Sequence, residues 1–280
     1  TADKIYECKA RGVFRKNSIV PLPGDRVEFS VIDDAENKGL IDKILERDCE
    51  LTRPAVANVN QIAIVVAVKS PDPDLMLVDK LLVTAEIKNV NPIICINKID
   101  LDNGNMSKKI HEAYSKAKYP VIHLSTKTCE GFEDLEKILT GKITVFAGQS
   151  GVGKSSILNV IMDSMIMKTG EVSHKIQRGR HTTRHAELLE LKSGGYVVDT
   201  PGFSSFELSG IAFDKLDSCY REFEEYKTKC RFVGCSHLTE PQCGVKDALS
   251  KGEIDFGRYE RYAQLYNILK EIDSNKYRKK

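Results

Sequence analysis

The chain has 280 residues, 41% apolar and 29% charged, the composition of a globular protein of two or three domains. Its 42 Lys and Arg nearly cancel 40 Asp and Glu, leaving +2, so no global field draws in nucleic acid and any such binding falls to local patches. The longest wholly apolar run, residues 62–68, is too short to span a bilayer, and no basic-then-apolar leader opens the chain. Eight cysteines without such a leader argue for a reducing compartment, so a cytoplasmic chain with no membrane contact is expected.

Residues 1–57 read as strands and turns. Segments 5–14, 27–32 and 40–45 have strand-like content, Pro21-Leu22-Pro23-Gly24-Asp25 is a strong turn signal, and no stretch has helical periodicity. A small β-barrel, an OB-fold first, is the natural packing. Five strands fit poorly into so few residues, and Thr1 is not a methionine, so a longer natural amino terminus is expected.

From 58 to 210 apolar strands alternate with amphipathic helices. Residues 62–68, 93–96, 121–124, 143–147 and 196–198 read as strands; 75–88, 107–118, 131–139 and 155–162 read as helices. This alternation predicts an α/β domain with a mostly parallel sheet covered on both faces and ligand loops at the carboxyl ends of its strands.

The motifs sit at those ends. Asn97-Lys98-Ile99-Asp100 has the Asn-Lys-x-Asp form that reads guanine. As a site, Asp100 accepts hydrogen bonds from guanine N1 and the exocyclic amine, which adenine cannot supply; Lys98 packs along the base, and Asn97 ties the loop to the phosphate loop. A polar turn is the plainer alternative. Ser125-Thr126-Lys127 ends the next strand and fits a second guanine loop, where a backbone N–H meets O6. Gly148-Gln149-Ser150-Gly151-Val152-Gly153-Lys154-Ser155, with Ser156 after it, is a complete P-loop. Its glycines let backbone N–H groups turn onto phosphate oxygens at a helix amino terminus, Lys154 neutralises the β- and γ-phosphates, and the Ser155 hydroxyl ligates magnesium. In an ordinary GTPase the P-loop comes first. Here the guanine motif precedes it, so the domain is cyclically rearranged and other modules are attached at its new ends.

Gly179-Arg180-His181-Thr182-Thr183-Arg184 lies where a switch threonine completes the magnesium shell, with Thr183 the first choice and Thr182 next. Asp199-Thr200-Pro201-Gly202 follows the 196–198 strand as an Asp-x-x-Gly motif, Asp199 reaching magnesium through water and the Gly202 N–H sensing the γ-phosphate. Many GTPases place a water-orienting Gln after that glycine; here the residue is Phe203, which cannot hydrogen-bond water. His181 could orient it instead, against the rival reading of a surface histidine.

After 210 the strands stop. Residues 211–229 and 253–273 read as helices flanking Cys230-x4-Cys235-x-His237-x5-Cys243, whose three thiolates and one imidazole suit a closed, structural tetrahedral zinc site, one per chain. Chance clustering of free cysteines is the alternative. His111, His123, His174 and His185 have no comparable company.

With these motifs the chain resembles the circularly permuted ribosome small-subunit biogenesis GTPases, the RsgA (YjeQ) family. The resemblance rests on Gly148–Ser156, Gly179–Thr183, Asp199–Phe203 and above all the string Cys230-Arg-Phe-Val-Gly-Cys-Ser-His-Leu-Thr-Glu-Pro-Gln-Cys243; Gly12-Val-Phe-Arg-Lys16 and Pro23-Gly-Asp25 add to it. It implies an OB-fold over 1–57, a circularly permuted P-loop GTPase domain over 58–210, and a helical zinc-binding domain with a basic tail over 211–280. It implies GTP bound with magnesium and hydrolysed to GDP, hydrolysis stimulated by the 30S ribosomal subunit during its late maturation, and a hydrolytic role for His181. A monomer contacting 16S rRNA is expected.

Three basic patches support RNA contact: Lys9, Arg11, Arg15 and Lys16; Lys175, Arg178, Arg180 and Arg184; and the tail Lys276-Tyr277-Arg278-Lys279-Lys280. Each alone is most often a solvated face, but together on a near-neutral chain they fit an rRNA surface, because phosphate neutralisation dominates such binding. Two rivals stand beside the GTPase reading: a zinc-and-barrel RNA scaffold whose nucleotide mainly stabilises the fold, favoured by Phe203, and a metabolic P-loop kinase, opposed by Asp100.

Overall fold

The computed structural model describes residues 4–16, 19–52, 54–167, 186–199 and 211–278. The amino-terminal module opens with β1 (Glu7–Ala10), α1 (Gly12–Lys16), β2 (Val27–Asp33) and β3 (Lys38–Ile44). These strands form a sheet in the order β1-β3-β2, with β1 parallel and β2 antiparallel to β3. The expected 5–14 strand is therefore shorter, and a helical turn follows it. Phe14 is buried there, and the turn is closed by Phe14 N–H to Arg11 O (3.1 Å) and Ile19 N–H to Phe14 O (2.9 Å).

The expected Pro23-Gly24 turn presses onto the next hairpin, β4 (Glu50–Thr52) with β5 (Ala55–Ala57). Gly24 has φ +89°, and a Cβ there would lie 2.2 Å from Ala57 O, so only glycine fits. Asn58 fastens this corner, donating to Gly24 O (2.8 Å) and accepting from Asp48 N–H (2.9 Å). Arg47 grips Asp25 through Nε and Nη2 at 2.7 and 2.8 Å, a bidentate pair.

The central domain is a six-stranded sheet. Its strands are β6 (Gln61–Ala67), β7 (Asn91–Asn97), β8 (Val121–His123), β9 (Ile143–Ala147), β10 (Glu187–Glu190) and β11 (Tyr196–Asp199), in the order β10-β11-β9-β6-β7-β8. All neighbours are parallel except β10 and β11. β10 was not foreseen because it is a four-residue edge strand with glutamates at both ends, showing neither alternation nor an apolar run.

Wholly apolar strands demand cover on both faces, and the helices supply it. On one face α2 (Leu75–Ile87) and α3 (Met106–Lys116) bury Leu81, Leu82, Ile110 and Tyr114 against Ile62, Ile64 and Val66. On the other, α4 (Phe132–Leu139) and α5 (Lys154–Met167) bury Leu135, Ile157 and Ile161 against Ala63, Val65 and Phe146.

The carboxyl-terminal part departs from the helix expected over 211–229. Two 3-10 segments, Phe213–Cys219 and Arg221–Phe223, precede a one-turn α6 (Glu224–Lys227). Leu216 and Cys219 are the residues the first segment buries, and that three-residue spacing suits a 3-10 turn. α7 (Gly244–Ser250) and the long α8 (Phe256–Arg278) complete a core in which Tyr220, Phe223, Tyr262 and Leu265 pack with Val83 of α2. Among the described residues no helix is long and apolar enough to cross a membrane.

Candidate functional site

Strand register brings the two nucleotide motifs together. β7 and β9 both flank β6, with Asn97 opposite Ala67 and Ala147 opposite Ile64, so the loops leaving them emerge side by side. Asn97 is fully buried and its Nδ2 donates to Val152 O of the P-loop at 2.8 Å. Gly153 (φ +101°) lies so close that a Cβ would sit 2.3 Å from that Nδ2. Gly148 (φ +141°) is equally constrained, because a Cβ there would lie 2.2 Å from Val65 O. Lys98, in the left-handed region at φ +63°, donates to Gly151 O (2.8 Å) and to Ser70 O of the loop before α2. Thus the guanine motif supports the P-loop from beneath, through one side-chain amide and one ammonium.

Lys154 opens α5 and folds back over its own loop, donating to Gly148 O (2.6 Å) and Gln149 O (2.9 Å). Half-buried, its ammonium is held below the ordinary lysine pKa by desolvation, so an anion at this spot would recover a charge interaction that burial has made stronger. Ser155 and Ser156 are exposed in the first turn of α5, and Gln149, Ser150 and Gly151 line the loop.

The second guanine loop meets the first directly. Ser125 is buried and its hydroxyl donates to Asp100 Oδ1 at 2.7 Å while accepting from the N–H groups of Lys127 (3.3 Å) and Thr128 (3.2 Å). One serine thus orients the Asp100 carboxylate and shapes the turn carrying Thr126 and Lys127. Asp102, two residues past Asp100, accepts from Met106 and Ser107 N–H at 3.0 and 2.9 Å and from the Ser107 hydroxyl. Those hydrogen bonds, Ser107's first, hold its pKa down to about 2. It meets the first two N–H groups of α3 in place of the N-cap residue Asn105, whose side chain makes no capping bond, and so anchors the loop. Behind the loop, His111 Nδ1 and His123 Nε2 lie 2.9 Å apart, a pairing that 12 residues of separation concealed.

The γ-phosphate side is only partly described. β11 ends at Asp199, whereas Gly202, Phe203, His181, Thr182, Thr183 and the basic set Lys175, Arg178, Arg180 and Arg184 lie outside the described residues. Of the amino-terminal basic set, Arg11 pairs with Asp42 (2.5 Å), while Lys9 and Lys16 are exposed.

The four metal-type residues do converge. One ligand atom from each of Cys230, Cys235, His237 and Cys243 lies within 4.8 Å of the others. Cys230 and Cys243 Sγ are 3.8 Å apart, and His237 Nδ1 is 3.5 and 3.3 Å from them. A zinc tetrahedron with bonds of about 2.3 Å to sulfur and 2.0 Å to nitrogen has edges of about 3.5–3.8 Å. The cluster therefore fits zinc in donor type, and the Cys230, Cys243 and His237 separations lie near those edges, with four protein donors at hand.

A family model described as RsgA GTPase matches residues 44–209, and one described as RsgA N-terminal domain matches residues 1–41. The chain belongs to the RsgA GTPase family. The protein of Ruminiclostridium cellulolyticum called small ribosomal subunit biogenesis GTPase RsgA is 60% identical over 99% of this chain and 90% of its own. Its namesake from Alkaliphilus metalliredigens is 48% identical over 95% and 91%. Among solved structures, YjeQ from Thermotoga maritima superposes with a TM-score of 0.78 at 41% identity, covering 94% of this chain and 89% of that one. YloQ, described as a circularly permuted GTPase, gives 0.80 at 38% identity over 96% and 88%. The fold is accordingly that of a circularly permuted P-loop GTPase with an amino-terminal OB-type module and a carboxyl-terminal Cys/His module, and the chain is a GTP-hydrolysing enzyme.

What joins this family member's carboxyl-terminal module to its GTPase domain was not legible beforehand. Asp79 of α2 is completely buried and receives Arg258 Nη1 at 2.6 Å, Arg261 Nε at 2.5 Å and the Tyr114 hydroxyl at 2.9 Å. Arg258 also grips Glu222, and its guanidinium lies 4.6 Å from the Tyr220 ring centroid and 5.4 Å from those of Tyr114 and Tyr119. Two guanidiniums thus face two carboxylates within an aromatic box, a neutral set with the paired geometry that buried charge requires. The available signal was Asp79 itself, an acid on the apolar side of Leu75-Met-Leu-Val-Asp-Lys-Leu-Leu.

Proposed function

We propose that this GTPase acts in the cytoplasm, as a monomer, in late maturation of the small ribosomal subunit, and that binding to the 30S particle and its 16S rRNA stimulates its hydrolysis of GTP. The observation carrying this is near-full-length identity to proteins named small ribosomal subunit biogenesis GTPase, 60% in the first. In this reading residues 1–57 and 211–280 grip the particle and residues 58–210 hold the nucleotide.

The roles follow from the chemistry of each residue. Asp100, oriented by Ser125, accepts from guanine N1 and its amine; Lys98 packs on the base, and backbone amides near Thr126 and Lys127 meet O6. Amides of residues 148–156 cradle the phosphates, and Lys154 moves from loop carbonyls to the β- and γ-oxygens. Ser155 and Thr183 would hold magnesium, with Asp199 supporting it, and the ion would supply charge neutralisation at those oxygens. His181 orients the attacking water that Phe203 cannot, and Gly202 reports the γ-phosphate. Zinc on Cys230, Cys235, His237 and Cys243 is structural.

GTP turnover of the purified chain, alone and with 30S or 50S subunits, tests this. Stimulation by 30S alone is expected, and its absence defeats the reading. Equal 30S affinity with GDP and with a non-hydrolysable GTP analogue would defeat the switch while leaving the enzyme intact.

A further inference from the structure

The imidazole of His237 has two ends with different surroundings. Nδ1 faces the thiols, at 3.5 Å from Cys230 Sγ and 3.3 Å from Cys243 Sγ. Nε2 is buried and finds no hydrogen-bond partner, yet Asp217 Oδ2 lies 3.9 Å from it. The residue is held in place: its backbone is in the left-handed region at φ +62°, the Tyr259 hydroxyl donates to its carbonyl at 2.7 Å, and Phe223 meets the ring edge-to-face at 5.7 Å between centroids.

A metal on Nδ1 leaves the imidazole hydrogen on Nε2, and a buried N–H donor is costly without an acceptor. We propose that Asp217 is the positioning residue of the metal centre: its carboxylate accepts Nε2–H of His237, fixing the tautomer and ring orientation that present Nδ1 to zinc. At 3.9 Å the two are too far apart for a hydrogen bond, and a turn of the Asp217 side chain would close the gap. Asp217 sits on the 3-10 segment Phe213–Cys219, pinned by buried Leu216 and Cys219. The inference rests on the zinc reading of the cluster.

Zinc affinity of the full chain, measured by competition with a chromophoric chelator, is the test. Asp217→Ala should bind zinc about 10–100-fold more weakly, the usual cost of losing such a partner. Asp217→Asn, which keeps an acceptor oxygen, should recover most of that loss, and Asp214→Ala, exposed on the same segment, should match wild type. In a His237→Cys background, where the ligand has no second nitrogen, Asp217→Ala should cost nothing further. The cobalt-loaded chain gives a second readout, its absorption bands shifting in Asp217→Ala and not in Asp214→Ala. Affinity within twofold of wild type, unshifted cobalt bands, or an equal loss in the His237→Cys background overturns the proposal. A wild-type chain that takes up no zinc overturns the metal reading and the proposal together.

Discussion

The nucleotide loops and the seam beneath the carboxyl-terminal module are held by opposite means. At the loops, single charges meet only neutral groups: Lys98 and Lys154 on backbone carbonyls and Asp100 on the Ser125 hydroxyl, beside the Asn97 amide on Val152 O and glycines where a Cβ cannot fit. At the seam, Asp79, Glu222, Arg258 and Arg261 are enclosed among tyrosines. Loops that must admit a charged ligand keep their internal bonds small and replaceable. A seam that excludes water can hold full charges only if each is met, and it resists separation because opening it strands them. The seam thus ties α8 to α2, so the module is held to the GTPase domain through α2 as well as by chain continuity.

If the comparison is right, Arg258→Ala should have the largest effect. It leaves Asp79 and Glu222 buried and short of partners, and should destabilise the fold by about 3–5 kcal/mol in denaturant unfolding. Nucleotide affinity of the molecules that remain folded should hardly change. A loss below about 1 kcal/mol would mean that water reaches the seam.

Asp100→Asn should act the other way round, with stability retained and GTP affinity lowered by about 1.5–3 kcal/mol per charged hydrogen bond lost. Preference should move toward XTP, whose 2-oxo group can accept from the new amide. Unchanged GTP affinity would remove Asp100 from the base site.

Asp102→Ala should cost about 1 kcal/mol through the lost cap on α3, with a defined pH dependence. The Asp102 pKa is about 2 in the folded chain and near 3.8 ordinarily, so its contribution is complete above about pH 4 and lost as pH falls toward 2. The stability difference between wild type and variant should shrink across that window, and a pH-independent difference would exclude the carboxylate as its source.

Glu225→Ala gives the smallest effect. It breaks the exposed pair with Lys118, 3.3 Å long, which crosses the same seam at its wet edge, and should cost under about 1 kcal/mol, vanishing in high salt. A cost comparable to Arg258→Ala would erase the distinction between buried and exposed ion pairs on this interface.

The nucleotide motifs could be read before folding because each is a short contiguous peptide. Gly148–Ser155 and Asn97–Asp100 carry their backbone requirements in their own residue types, and the 62–68 and 143–147 runs announce strands by apolar content alone. The cysteine spacing likewise declares its donor set. Where periodicity was weak the reading slipped: β10 is an edge strand with charged ends, and residues 213–219 wind as a 3-10 segment around two buried side chains.

Sequence alone therefore supplied the residue types of each motif and their permuted order, since both are properties of local strings. Only the tertiary structure decided which strings become neighbours. β6 lies between β7 and β9, so residues 55 apart in the chain share the Asn97–Val152 hydrogen bond. Asp79 and Arg258, 179 apart, find one another across α2 and α8. Such pairings leave no local signal, because a buried charge is tolerated by its partner's position in space and not by anything adjacent to it in the chain.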